Sequence, residues 1–140
     1  MSLRPFHLAI PVDDLEKVDR FYSDVIGCGR GRQSEDWIDF DFYGHQLVAH
    51  LKPEECNVVS TSTVDGAQVP VRHFGVVLKR EQWEALRDRI QAAGVNFILE
   101  PQIRFKGKPG EQGTMFVLDP SANALEFKYY EDDTMLFATE

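Results

Sequence analysis

The sequence predicts an α+β domain built from two βαβββ modules in tandem. An apolar strand opening on a histidine occurs twice, as Phe6-His7-Leu8-Ala9-Ile10-Pro11-Val12 and as Arg72-His73-Phe74-Gly75-Val76-Val77-Leu78. Each copy runs into an amphipathic helical stretch closed by a glycine, Gly27 or Gly94, and each helix is followed by three segments of strand character.

The elements follow in order. Pro5 starts the first strand, where a missing N–H is tolerated. Asp13-Asp14 offers a helix cap, and Leu15, Val18, Phe21, Tyr22, Val25 and Ile26 follow at helical spacing. Cys28 to Gln33 reads as a short edge strand. Trp37 to Phe42 alternates apolar and polar, Tyr43-Gly44 turns the chain, and His45 to Leu51 returns as a hairpin. Residues 53–70 are polar and aperiodic, with Ser60 to Thr63 and Asp65-Gly66, and read as a linker. The second module repeats the order. Arg72 to Leu78 is a strand, and Arg80 to Ala93 is a helix with Trp83, Leu86, Ile90 and Ala93 on one face. Val95 to Glu100, Thr114 to Leu118 and Ala124 to Tyr130 are strands, and Asp119-Pro120-Ser121-Ala122-Asn123 is a turn. Module one thus spans roughly residues 5–52, module two 71–130, and an acidic tail 131–140. A sheet with a helix on one face needs cover on the other, which the second module or a second chain supplies.

Composition narrows the function. The 140 residues carry a net charge of -8, which argues against nucleic acid and anionic membrane as partners. No apolar run reaches the length of a membrane span. Cys28 and Cys56 are too few for a disulfide framework and lack a metal-binding spacing. The expectation is a cytoplasmic protein with two free thiols and a small-molecule substrate.

Of the four histidines, His7 and His73 occupy matching positions in the repeat. If the modules pack about a pseudo-two-fold axis, the starts of their strands meet, and two neutral imidazoles facing a cavity suit a divalent metal. Glu126, between Leu125 and Phe127, is the candidate third ligand. A carboxylate inside an apolar strand is costly unless paired or metal-bound. Periodicity alone leaves open that it points to water. Two histidines and a carboxylate form the facial triad of non-haem Fe(II) oxygenases and also suit catalytic zinc. The loop Arg104 to Gly113 carries Arg104, Lys106 and Lys108. It reads either as a cover that attracts an anionic substrate or as a solvated hairpin. Phe40, Phe42 and Tyr129 are candidate cavity walls, and Trp37 and Trp83 are candidate core residues.

Phe6 to Asp14 with Phe21-Tyr22, then His73-Phe74-Gly75-Val76, then Phe116 to Phe127, resemble the vicinal oxygen chelate superfamily. That superfamily contains glyoxalase I, bleomycin-resistance proteins, fosfomycin-resistance enzymes and extradiol dioxygenases. The resemblance covers roughly residues 5–130. Its last segment is similar to the signature D-P-x-G-N-x-x-E, with Ala122 in place of the usual glycine. The resemblance implies paired βαβββ modules and a metal held by His7, His73 and Glu126. It also implies a homodimer, since members of this size commonly pair head to tail. Glyoxalase I places a second carboxylate on the fourth strand, whereas Gln46 to Leu51 has no acid and Val48 falls opposite Glu126. His50, two residues on, is then a fourth ligand, an acid–base group near the metal or a rim residue, with the acid–base or substrate-contact role favoured. His45 is a second candidate for proton transfer. The leading expectation is a metal-dependent, dioxygenase-like enzyme using Fe(II) or Mn(II), with Zn(II) or Ni(II) also admitted. It would act on a small oxygen-chelating substrate. The alternatives are a glyoxalase-like lyase or isomerase, a thiol transferase, or a metal-free drug-binding protein.

Overall fold

A computed structural model of the chain describes residues 3–56, 61–64 and 67–139. It divides into two compact units. Unit 1 is Met1–Val58 with Asp119–Asn123, and unit 2 is Val59–Leu118 with Ala124–Glu140.

Unit 1 opens with β1 (His7–Val12) and α1 (Leu15–Arg20). The Asp14 carboxylate accepts the Lys17 N–H at 3.0 Å, which makes Asp14 the N-cap. The expected helix continues to Ile26, but Phe21–Ile26 winds as a π-helix. That wider turn places Phe21, Tyr22 and Ile26 all in the core. Gly27 ends it at φ 89°, a left-handed conformation that glycine adopts freely. Then come β2 (Gly29–Gln33), β3 (Trp37–Phe42) and β4 (His45–Leu51), in sheet order β1-β4-β3-β2. β1 and β4 run parallel. Tyr43 and Gly44, at φ 53° and 89°, form the tight turn between β3 and β4. Ile38, Phe40 and Phe42 are buried on one face of β3, and the Phe40 ring packs 5.3 Å from Tyr22. Trp37, expected in the core, lies half-buried on the other face of β3, with the Arg32 guanidinium 5.5 Å from its ring.

The turn Asp119–Asn123 belongs to this unit. The Asp119 carboxylate accepts the Tyr22 hydroxyl at 2.7 Å, the Ser121 and Asn123 N–H groups, and the Asn123 amide. Ser121 takes the Asp13 N–H and donates to the Asp13 carboxylate, while Asn123 donates to the Pro11 carbonyl at 2.8 Å. Burial pushes the Asp119 carboxyl up against the pull of these bonds. Burial, then the Asp119 charge, raises the Tyr22 phenol. Ala122 sits at φ 69°. A left-handed conformation costs a residue with a Cβ about 1–2 kcal/mol, which explains the usual glycine there.

Residues 53–55, 61–64 and 67–70 are more structured than the sequence suggests. Pro53–Glu55 forms a 3₁₀ turn, and β5 (Thr61–Val64) pairs antiparallel with β6 (Ala67–Pro70). Thr61, Thr63, Val64 and Val69 are β-branched, which favours strands. Ser60 and the Asp65-Gly66 turn lie outside the described residues.

Unit 2 repeats the topology of unit 1. β7 (His73–Leu78), α2 (Arg80–Ala92), β8 (Phe97–Arg104), β9 (Gln112–Leu118) and β10 (Ala124–Tyr130) give the order β7-β10-β9-β8, with β7 parallel to β10. Trp83, Leu86 and Ile90 of α2 are buried with Met115, Val117, Leu125, Phe127 and Tyr129. The Trp83 indole donates to the Phe127 carbonyl at 2.9 Å. Gly113 lies opposite Tyr129, where an added Cβ would stand 2.3 Å from the Tyr129 ring. The tail forms a short 3₁₀ turn, Asp133–Phe137, capped by Asp132. Among the described residues no helix is long and apolar enough to cross a membrane.

The loop after β8 is organised by Glu111, a buried carboxylate. It accepts the Gly107 N–H at 2.8 Å and the Tyr129 hydroxyl at 2.9 Å, with Arg80 at 3.4 Å. The Gly107 bond, followed by the Tyr129 bond, holds the Glu111 carboxyl below its ordinary value of 4.5. A depressed carboxyl stabilises the fold above that ordinary value and loses its contribution as pH falls through the lowered one. Acid unfolding of wild type is therefore expected to steepen below about pH 4.5. Glu111→Gln should flatten that limb while lowering stability at pH 7. Parallel acid limbs in denaturant titrations would count against this. On the alkaline side, burial and Glu111 push Tyr129 up to about 12.

Candidate metal centre

In unit 2 the parallel pairing of β7 with β10 sets His73 opposite Ala124 and Gly75 opposite Glu126. The His73 Nε2 and Glu126 Oε1 atoms lie 3.4 Å apart. Two ligands of one divalent ion, each bonded at about 2.1 Å, must lie within about 4.2 Å of each other, so the pair fits. The tautomer agrees. The Pro70 carbonyl can only accept, so His73 donates to it from Nδ1 at 2.8 Å, and the neutral ring leaves Nε2 bare. A lone pair then faces a carboxylate oxygen, an arrangement that requires a proton or a cation between them. The other oxygen of Glu126 accepts the Thr114 hydroxyl at 2.5 Å. The Phe116 ring meets the imidazole of His73 edge-on at 4.8 Å. His73, Gly75, Glu126 and Lys128 border a concavity of about 230 Å³.

In unit 1 the equivalent pairing sets His7 opposite Gln46 and Ala9 opposite Val48. Val48 therefore occupies the position that Glu126 holds in unit 2. The His7 Nδ1 atom lies 2.8 Å from Gln46 Oε1. His45 has the opposite polarity: its Nδ1 accepts the Phe6 N–H at 2.8 Å, so the neutral ring carries its proton on Nε2. His50 is exposed on β4, beside a concavity of about 290 Å³ shared with Pro11, Lys52 and Glu55.

Among the described residues, neither unit by itself gathers three His, Cys, Asp or Glu side chains at one metal-sized point. Unit 2 brings His73 and Glu126 together, and unit 1 carries His7. Three of the five candidate substrate residues fall elsewhere than expected. Phe40 and Phe42 are buried in the core of unit 1, and Tyr129 packs on Trp83 in the core of unit 2. Tyr129 lies on the face of β10 opposite to Glu126, and Phe40 and Phe42 on the face of β3 opposite to Asp39, which pairs with Val48, because strands alternate with period two. Arg104 ends β8 with its guanidinium 5.2 Å from the Phe105 ring, and Lys106 is exposed in the loop.

Sequence reasoning missed Thr114, Lys128 and Gln46. Hairpin arithmetic about the Asp119–Asn123 turn pairs Glu126 with Phe116 and Lys128 with Thr114, and so could have found the first two. Gln46 follows once β1 is laid parallel to β4.

The comparisons with known proteins bear on the whole arrangement. The crystal structure of a glyoxalase/bleomycin resistance protein/dioxygenase from Alicyclobacillus acidocaldarius is similar at 37% identity and a TM-score of 0.75, over 95% of this chain and 96% of that one. The fosfomycin resistance protein FosX from Listeria monocytogenes shares the fold at 17% identity and a TM-score of 0.69, over 97% and 100% of the two chains. A lactoylglutathione lyase from Agrobacterium tumefaciens does so at 16% identity and a TM-score of 0.60, over 89% and 91%. No curated protein matches by sequence. The family model that matches covers residues 4–127, both histidine strands and Glu126 included, and with it the chain belongs to the Glyoxalase/Bleomycin resistance protein/Dioxygenase superfamily.

Proposed function

We propose that the protein is a divalent-metal enzyme of this superfamily, with His7, His73 and Glu126 as ligands, acting on a small substrate that presents two adjacent oxygens. The observation that carries the reading is His73 Nε2 facing Glu126 Oε1 at 3.4 Å, with the Nδ1 side of the ring held by the Pro70 carbonyl. Metals of this kind, when bound, supply Lewis-acid charge to substrate oxygens and, for iron or manganese, chemistry with O2. A dioxygenase-type reaction is the reading we favour, with Fe(II) or Mn(II). A four-ligand site of the glyoxalase I kind needs a carboxylate on β4, and Val48 stands there.

The chain's own residues take the remaining roles. Thr114 fixes the rotation of the Glu126 carboxylate. Lys128 brings a positive charge to the same concavity, and Arg104 and Lys106 add to the field that attracts an anionic substrate. His50, whose ring makes no hydrogen bond among the described residues, moves protons, and His45 can donate only from Nε2. The protein acts as a homodimer in the cytoplasm.

The test is elemental analysis of protein purified without chelator, followed by O2 uptake with catechols. About one iron or manganese per chain and measurable uptake are expected. His50→Ala should keep the metal and lose turnover by roughly 100-fold, the usual size of an acid–base contribution. A protein that binds none of Fe(II), Mn(II), Zn(II) or Ni(II) would overturn the reading.

A further inference from the structure

The two histidine positions are equivalent in the repeat, yet their rings are held by different means. In unit 2 the residue opposite His73 is Ala124, which has no side-chain acceptor, and His73 turns to the backbone carbonyl of Pro70. The residue opposite Glu126 on β9 is Phe116, which packs against the imidazole. In unit 1 both of these positions are polar. Gln46 replaces Ala124, and Asp39, opposite Val48 on β3, replaces Phe116.

Those two side chains form a relay. The Gln46 amide nitrogen donates to Asp39 Oδ2 at 3.4 Å, and Gln46 Oε1 faces His7 Nδ1 at 2.8 Å. A carboxylate only accepts, so Asp39 selects the NH2 end of the amide. The carbonyl end is then turned to His7 and can only accept from it. The neutral His7 ring must carry its proton on Nδ1 and present a bare Nε2.

We propose that Gln46 is the positioning residue of His7, and that Asp39 orients Gln46 for this task. The pair sets the tautomer and the rotation of the ring by side chains alone, where unit 2 uses the backbone. The consequence for metal binding rests on the reading of His7 as a ligand. The tautomer does not. An acceptor on the outer nitrogen of a ligating histidine fixes the ring and raises its donor strength, and its loss typically weakens metal binding 10–100-fold.

The test uses the full-length metal-free protein and Zn(II) alone as probe. Long-range 15N–1H correlation at alkaline pH reads the His7 tautomer directly. Wild type is expected to show Nδ1–H. Gln46→Leu should lose that bias and weaken Zn(II) binding 10–100-fold in calorimetric titration. Gln46→Glu, which keeps an acceptor, should retain the Nδ1–H form. Asp39→Asn, which frees the amide to rotate, should shift the tautomer part of the way. Gln46 and Asp39 are not core residues, and backbone amide spectra establish that each variant is folded. An Nδ1–H ring unchanged in both Gln46→Leu and Asp39→Asn overturns the proposal. If the tautomer responds as expected while wild type binds no Zn(II), the positioning role stands and the metal reading falls.

Discussion

Glu126→Ala is expected to abolish metal binding and activity together, and His7→Ala to do the same. Loss of a ligand should exceed the roughly 100-fold upper range for loss of a residue that only supports one. The carboxylate is the anionic member of the proposed set, and its removal leaves His73 and Thr114 facing a void. Mixing the two variants tests how the sites are assembled. If a site takes His7 from one copy of the chain and His73 with Glu126 from the other, each single variant has two broken sites per dimer. A mixed dimer then has one doubly altered site and one intact site. Up to about half of the sites in mixed dimers should recover, as two-fold symmetry requires. In that arrangement dilution should also weaken binding, because separating the two copies would dismantle the site. Full subunit exchange without recovered metal would assign all three ligands to a single chain.

Gly75→Ala is expected to be the most damaging glycine-to-alanine change among the described glycines of unit 2. A Cβ at this position would stand 1.5 Å from the Glu126 carbonyl oxygen and 2.6 Å from its carbon. These are backbone atoms of the neighbouring strand and cannot rotate aside. Overpacking usually costs 1–3 kcal/mol, and a clash with backbone belongs at or above the top of that range. A loss of about 3 kcal/mol corresponds to a fall in Tm on the order of 10 °C for a chain of this size. The topology does not itself demand glycine, since Ala9 occupies the equivalent place opposite Val48 in unit 1. The close approach is local to the strand segment that carries Glu126. Alanine should therefore also displace that carboxylate and weaken metal binding. A thermal melt and a metal titration of the same preparation check both effects, and a wild-type Tm would refute the argument.

Much of this fold is written in period and punctuation. The repeated histidine strands, the Asp14 cap, the Tyr43-Gly44 turn and the glycines after both helices act locally, and each lies where the sequence puts it. The π-helical winding of Phe21–Ile26 was not legible, because it depends on which side chains must reach the core together. The antiparallel pairing of β5 with β6 was hidden by polar composition, which masks its β-branched residues. The candidate site divides in the same way. His7, His73 and Glu126 are marked by the repeat and by an acid in an apolar strand. Phe40, Phe42 and Tyr129 were misplaced because aromatic character alone does not reveal which face of a strand a residue occupies. Gln46 becomes visible only after β1 is laid beside β4, and Asp39 and Thr114 only after their hairpins are registered residue by residue.

The turn Asp119–Asn123 has a consequence for the order of folding. It lies between β9 and β10, yet its partners are Pro11, Asp13 and Tyr22, about a hundred residues earlier in the chain. Synthesis proceeds from the N-terminus at about 5–20 residues per second, so the first module leaves the ribosome several seconds before the turn that completes it. During that interval the Tyr22 hydroxyl and the Pro11 carbonyl lack the partners they will keep. Closing contacts of such long range are slow to form and are made late. β1 and the helix after it, made well before that turn, are thus among the last parts of the chain to be finished.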